Sequence, residues 1–455
     1  MRLSASACGV LVAASISGCT TVPDKPYHPV ACGSKDCTPE ELDLATGSRT
    51  VQVRGDGWLT QPCARSAYFP MTYDQAWLEV NEDGYLAVPA QLRAIERRIQ
   101  RAHASGVPVL LAAYVHGWNG NADERPLKDC QAQSGQVNLF YAQMGRVTDT
   151  VQRLHDSKLI ARKPLVIGVW VGWRGRDYRD PIGLSAPASF LSRGRTANAI
   201  GVQRGYDGEG RPSLHAALDE LSKTLNDPAY PEDRMMLSGL SFGGRIITRL
   251  YRDRLEAGDT TPLGKNSLIV TFNAAVGSDC YEKALQANAS KVPVTPPRWI
   301  NVTSRADRAR RIYYRIGTLL MKDGDFCDPS SRLRRVAIGF DDAQKTHELT
   351  FVSYAEDVDA PLINQGPVNW SSTEPAHAPI YYSRWDGVSY SLKSRMYDMR
   401  FQRKALNAGA LWVVDTDHTA IASAGSHYSI NDLHSNVFAT NLTRLLITSL
   451  YDPGR

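Results

Sequence analysis

The chain has 455 residues, 43% of them apolar and 22% charged, with a net charge of +5. This is the composition of a globular protein, which excludes a low-complexity or fibrous chain, and the small positive balance makes no case for a nucleic-acid partner. The length allows one large domain or two ordinary ones.

The N-terminus reads as an export signal: Arg2, an apolar small-residue run over 3–16, then Ser17-Gly18-Cys19. No later stretch is long and apolar enough to span a bilayer. The tetrapeptide ISGC resembles a bacterial lipobox, which implies that Cys19 is lipidated and becomes the first mature residue. A plain signal cleaved elsewhere is the alternative. Lipid on Cys19 would tether the protein to a membrane without spanning it. Thr20, rather than Asp, follows the cysteine; by resemblance to Gram-negative lipoproteins this implies the outer membrane, with the protein facing the periplasm. Besides Cys8 and Cys19, six cysteines remain: Cys32, Cys37, Cys63, Cys130, Cys280 and Cys327. An even set in an exported chain points to disulfides, with the pairing open. Cys32 and Cys37 are close enough to close a small loop, and Cys280 with Cys327 would brace the segment after Asp307. No C-x-x-C pair points to zinc.

Residues 20–65 are rich in Pro, Gly, Thr, Ser and Asp without sustained periodicity, and read as a tether ahead of a domain over 66–455. The Arg54-Gly55-Asp56 triplet reads as a chance turn. Leu92, Ile95, Ile99 and Ala102 mark one face of a helix. Residues 108–115 (PVLLAAYV) form an apolar strand that runs into His116-Gly117-Trp118-Asn119-Gly120. Leu139, Phe140, Met144, Val147, Val151 and Leu154 mark a second helix, and 165–171 (LVIGVWV) a second strand. The Arg- and Gly-rich residues 172–212 read as a long connection. Leu214, Leu218, Leu221 and Leu225 form a third helical stripe with Ser213 as its cap. Short strands are expected over 235–237, 268–274, 299–303 and 412–414. Val437, Leu442, Leu445, Leu446 and Leu450 mark a closing helix. Residues 308–410 fit this alternation poorly. Their scattered aromatics (Trp370, Tyr381, Tyr382, Trp385, Tyr390) and prolines suggest an inserted cap or extra layer over the site, or a separate small domain. Strands apolar on both faces, separated by amphipathic helices, predict an α/β fold with a mostly parallel sheet covered on both sides. Ligands in such folds collect at the carboxyl ends of the strands.

The stretch RMMLSGLSFGGRII, residues 234–247, organises the rest. A short apolar strand meets Gly239, Ser241 and Gly243 in G-x-S-x-G spacing, and Ile246, Ile247, Leu250 and Tyr251 then recur at helical spacing. A strand that becomes a helix within three residues needs a tight corner, which the glycines allow because a Cβ there would collide with the neighbouring strand or helix. Ser241 at the corner is forced into a strained conformation with its hydroxyl at the positive end of a helix, as an acyl-transfer nucleophile requires.

A strand ending in HGW, then GLSFGG, then an acid after a later strand and a late histidine resembles the α/β-hydrolase superfamily over about residues 71–450. VHGWNGNA, VGWRGRDY and SGLSFGGR together are similar to bacterial predicted esterases; Leu240 stands where related elbows often have His. The resemblance implies Asp307 as the acid, in SRAD after the second strand beyond Ser241, with Asp279 and Asp328 as alternatives. It implies a base between the last strand and the closing helix: His427 in AGSHYSI, with His434 the alternative. His418 reads as structural, and Asp415, Asp417 and His418 as a solvated strand end rather than a metal site. The oxyanion donors implied are the backbone N–H groups of Phe242 and Trp118, with His116 bracing the loop. The expected activity is cleavage of carboxylic esters of small molecules or lipids through an acyl-enzyme, with thioesters or amides open as substrates. It needs no cofactor or metal. The competing reading is a non-catalytic lipoprotein that uses a hydrolase scaffold for binding.

Overall fold

The computed structural model describes residues 20–21, 25–30, 38, 42, 47–54, 68–118, 120–122, 136–175, 178–179, 186–289, 297–304, 307, 314, 318, 327–353, 381–383, 389–393, 397–404, 409–416 and 442–452. In chain order the strands are β1 (Thr20–Thr21), β2 (Gly47–Arg54), β3 (Tyr68–Glu79), β4 (Val109–Val115), β5 (Leu165–Gly172), β6 (Tyr178–Arg179), β7 (Arg234–Leu240), β8 (Ser267–Phe272), β9 (Trp299–Ser304), β10 (His347–Ser353), β11 (Tyr381–Ser383), β12 (Ser389–Lys393), β13 (Tyr397–Arg403) and β14 (Leu411–Thr416). The helices are α1 (Ala90–Ala104), α2 (Gln136–Asp156), α3 (Ala186–Val202), α4 (Leu214–Leu225), α5 (Phe242–Leu250), α6 (Arg252–Glu256), α7 (Asp279–Ala289) and α8 (Leu442–Leu450).

Twelve strands form one sheet in the order β11-β12-β13-β10-β14-β9-β8-β7-β4-β5-β3-β2. The run from β10 through β3 is parallel throughout. β2 at one edge and β13, β12 and β11 at the other are antiparallel. The α/β class and the mostly parallel sheet thus follow the sequence pattern. Period-2 alternation divides each central strand between two cores. Leu111, Ala113 and Val115 of β4 join Ile95, Ile99, Ala197, Leu218 and Ile246 from α1, α3, α4 and α5. Leu110, Ala112 and Tyr114 join Phe140, Met144, Leu445 and Leu446 from α2 and α8. Each fully buried Leu or Ile contributes about 2 kcal/mol. The expected stripes Leu92, Ile95, Ile99, Ala102 and Leu214, Leu218, Leu221, Leu225 are the buried faces of α1 and α4. Ser213 caps α4 by accepting the Ala216 N–H at 3.2 Å. α8 closes the second core, its buried Arg444 paired with Asp149 of α2 at 2.8 Å.

Three departures from the sequence reading have physical causes, and one expectation is met. Residues 47–54, assigned to a tether, are an edge strand: β2 pairs with β3 from Gly47↔Gln75 to Arg54↔Tyr68. Residues 172–212 contain α3, which packs on α5 so closely that a Cβ on Gly201 would come within 2.5 Å of the Arg249 Cβ; such a helix shows glycines instead of an apolar stripe. α7 carries Cys280, disulfide-bonded to Cys327 across 47 residues of sequence, as the sequence suggested. Finally, the described strands of 308–410 continue the sheet at its edge instead of forming a cap or a separate layer. Their apolar residues alternate singly, Leu349 with Met399 and Phe401, all buried, which suits an antiparallel edge rather than a fully covered strand. β10 meets β14 over only His347–Leu349 opposite Val414–Thr416. Its last four residues therefore run about 13 Å past that pairing, beyond the carboxyl edge.

Candidate active site

Ser241 joins β7 to α5 with φ 55° and ψ −115°, one of three described non-glycine residues with positive φ. The corner is held from three sides. Its N–H donates to the Phe272 carbonyl at the end of β8, and its carbonyl accepts from Arg245 and Ala275, each at 3.0 Å. The flanking glycines are required by contact. A Cβ on Gly243 would lie 2.0 Å from the Val115 carbonyl of β4, and one on Gly239 2.7 Å from both the Gly243 backbone and Ile247 Cδ1. Ser241 is 4% exposed, and no hydrogen bond to its hydroxyl is found among the described residues.

Phe242, Gly243 and Gly244 open α5, and no acceptor for their N–H groups is found among the described residues. That is the ordinary state of a first helical turn and places donors beside Ser241 that no described residue satisfies. The loop after β4 approaches from the other side: a Cβ on Gly117 would be 3.1 Å from the Ser241 Cβ and 2.9 Å from the Leu240 carbonyl. Trp118 is half-buried, meeting Phe190 edge-on at 5.5 Å, and Phe190 in turn meets Phe242 at 4.8 Å. One aromatic cluster therefore links both expected oxyanion donors.

His116 shapes this loop. Its Nδ1 donates to the Gly117 carbonyl at 2.8 Å, and its Nε2 accepts the Trp173 N–H at 3.0 Å, while the Trp173 indole donates to the His116 carbonyl at 2.9 Å. Both ring nitrogens are committed, and burial lowers the imidazole pKa to about 4. His116 is a neutral brace that takes no proton near pH 7.

Asp307 lies just beyond β9, fully buried, its N–H donating to the Ser304 carbonyl at 3.2 Å. β7, β8 and β9 are consecutive neighbours, so Ser241 and Asp307 follow carboxyl ends two strand spacings apart, about 10 Å. One imidazole with a hydrogen bond at each nitrogen bridges roughly 8 Å. Asn273, which the sequence reading missed, ties these ends together. It follows β8 with φ 44°, donates its N–H to Val302 at 2.9 Å and accepts the Ser304 N–H on Oδ1 at 3.1 Å. An Asn directly after an apolar strand was the only available signal, because Asn tolerates positive φ better than most residues. The alternative acids are engaged elsewhere. Asp279 accepts the N–H groups of Cys327 and Asp328 at 2.8 Å each. Asp328 bonds Ser330 and pairs with Lys283. Asp415, expected at a solvated strand end, instead pairs with the buried Lys345 at 2.6 Å. Cys19, His418, His427 and His434 lie outside the described residues.

No family model matches this chain, and no curated protein matches it. Among solved structures, an uncharacterized protein from Pseudomonas aeruginosa aligns with 13% identity over 47% of this chain and 37% of that one, at a TM-score of 0.18. The chain thus spans little more than a third of that neighbour, and so loose an alignment carries no inference.

Proposed function

We propose that the protein is a serine hydrolase of α/β-hydrolase type, cleaving carboxylic esters and tethered to the outer membrane through lipid on Cys19. The observation that carries this reading is the strained Ser241 corner, with no acceptor for the Phe242 N–H among the described residues and the Gly117 loop pressed against its Cβ. A serine held with positive φ costs stability, and exposing a hydroxyl to an electrophile at a helix N-terminus gives that cost a use. In the proposed reaction His427, oriented by Asp307, takes the Ser241 proton as Oγ attacks the ester carbonyl. The N–H groups of Phe242 and Trp118 hold the oxyanion. The alcohol leaves with the proton, and water, activated by the same histidine, then releases the acid. No step calls for a cofactor.

A fluorophosphonate probe tests the proposal. Wild type should be labelled and Ser241→Ala should not, with turnover reduced on the order of a millionfold. Comparing His427→Ala with His434→Ala identifies the base. An unlabelled wild type favours a binding scaffold over an enzyme.

A further inference from the structure

The segment following Cys19 returns at once to the edge that carries Ser241. Thr20 and Thr21 pair antiparallel with Arg179 and Tyr178, four and three residues beyond Gly175. The Gly175 N–H is itself bonded to the Gly120 carbonyl at 3.1 Å, in the loop that begins at His116. A second attachment follows. Tyr27 and His28 donate backbone N–H groups to the Glu79 carboxylate at 2.6 and 2.8 Å. The His28 carbonyl accepts from Gln91 at 2.8 Å and its Nε2 donates to the Ala122 carbonyl at 2.7 Å. Its ring stacks on Trp77 with centroids 3.7 Å apart. Glu79 ends β3 opposite Gly172, which ends β5. Both attachments therefore fall on the carboxyl edge of the sheet.

Chain reach limits where lipid on Cys19 enters a membrane. Gly175 to Arg179 spans at most about 14 Å, the pairing to Thr20 about 5 Å and one further residue about 4 Å. The attachment point thus lies within about 23 Å of the loop against Ser241, in a domain roughly 50 Å across. Between the anchoring segment and that loop is a cavity of about 260 Å³ whose wall includes Lys25, Tyr27, Asn121, Trp173, Arg174 and Arg211. Three of these are cations, of which Arg174 is paired with Glu82 and Arg211 with Asp207, so the charge offered to a ligand is that of Lys25. The carboxylate of Glu79, also on the wall, is already taken up by the N–H donors of Tyr27, His28 and Gln91.

We propose that the anchor lays the carboxyl edge against the membrane surface, so that the substrate is a membrane-borne ester lipid whose phosphate headgroup sits in this cavity. The proposal rests on Ser241 as nucleophile and Cys19 as the lipid site. Ser241 Oγ bonds to the acyl carbon, the ester C–O bond breaks and the glycerol oxygen leaves with the serine proton; water then frees the fatty acid.

The test uses the full-length lipidated protein in phosphatidylglycerol–phosphatidylethanolamine vesicles doped with diacylglycerol. A 30-residue Gly-Ser insert between Cys19 and Thr20, with a root-mean-square span of about 30 Å, frees the orientation while keeping the tether. It should leave turnover of soluble p-nitrophenyl acetate within twofold and lower vesicle phospholipid hydrolysis tenfold or more. Lys25→Glu should lower the phospholipid-to-diacylglycerol rate ratio fivefold or more; an unchanged ratio overturns the headgroup assignment. In vesicles relative to detergent, amide exchange should slow over 116–122 and 172–175 and stay unchanged over 105–107 at the opposite edge. Equal phospholipid rates with and without the insert, or unchanged exchange at both edges, overturns the orientation. If Ser241 is not the nucleophile, Ser241→Ala turns over both substrates as the wild type does, yet the exchange pattern alone still decides the orientation. If Cys19 is not lipidated, Cys19→Ala stays with membranes as the wild type does.

Discussion

Replacing Ser241 by Gly should remove activity without the stability loss that glycine ordinarily brings. At φ 55° and ψ −115° any residue with a Cβ is strained by about 1–3 kcal/mol, and Gly is not. Against that gain, glycine adds about 0.5–1 kcal/mol of unfolded-state entropy, and loss of the Cβ near Gly117 forfeits up to about 0.8 kcal/mol of burial. The terms nearly cancel, so Ser241→Gly should match or exceed Ser241→Ala, which keeps the Cβ and the strain. Ala217, fully buried in α4, supplies the contrast: with no strain to relieve, Ala217→Gly should cost about 1–2 kcal/mol. The assay is urea unfolding followed by tryptophan fluorescence with the disulfide intact, comparing midpoints at equal m-values. If Ser241→Gly falls below Ser241→Ala by as much as Ala217→Gly falls below wild type, the corner is unstrained and the argument for a built nucleophile site is refuted.

Gly243→Ala, which sets a Cβ 2.0 Å from the Val115 carbonyl, must move backbone; it should cost about 3 kcal/mol and lower kcat about 100-fold through the displaced Phe242 N–H. Gly208→Ala, with nothing within 4 Å, should change neither in the same melting and kinetic assays. His116 is held neutral down to a pKa of about 4, below its unfolded value of about 6.5. Its contribution is therefore whole above pH 6.5 and lost as pH falls toward 4, on the order of 3 kcal/mol; melting curves across that range should show a slope that His116→Asn flattens. His347, lowered to about 3 by burial and by Arg403, extends the loss to lower pH. Reducing the Cys280–Cys327 disulfide should cost about 4 kcal/mol in the chain-entropy account for its 47-residue separation; an unchanged urea midpoint in dithiothreitol would contradict this.

The parallel core was legible because a strand covered on both faces reads as an unbroken apolar run, as in residues 108–115 and 165–171. The elbow was legible because its glycines are demanded by contacts a few residues away in sequence. The edges were not. β2 and β13 carry alternating or polar residues whose partners are set by distant strands, so local pattern does not distinguish them from connection. α3 escaped for a related reason, since close packing against α5 selects small residues over a stripe. Asn273 was invisible because its role, joining the end of β8 to the end of β9, exists only once those strands lie side by side. Asp307 was nominated through chain order beyond a named strand, not through any property of its own neighbours.

The number of strands bears on where chemistry can happen at all. Neighbouring strands rotate by about 20–25°, so eleven pairings in series turn the sheet through on the order of 240° from β11 to β2. Loops leaving its two margins therefore point in widely different directions and cannot converge on one molecule. The central quartet β4, β7, β8 and β9, separated by about 65° in all, aims its outgoing loops at a common focus, which β5 and β14, one pairing further out on either side, still adjoin. His116, Ser241, Asn273 and Asp307 are those four loops' first contributions.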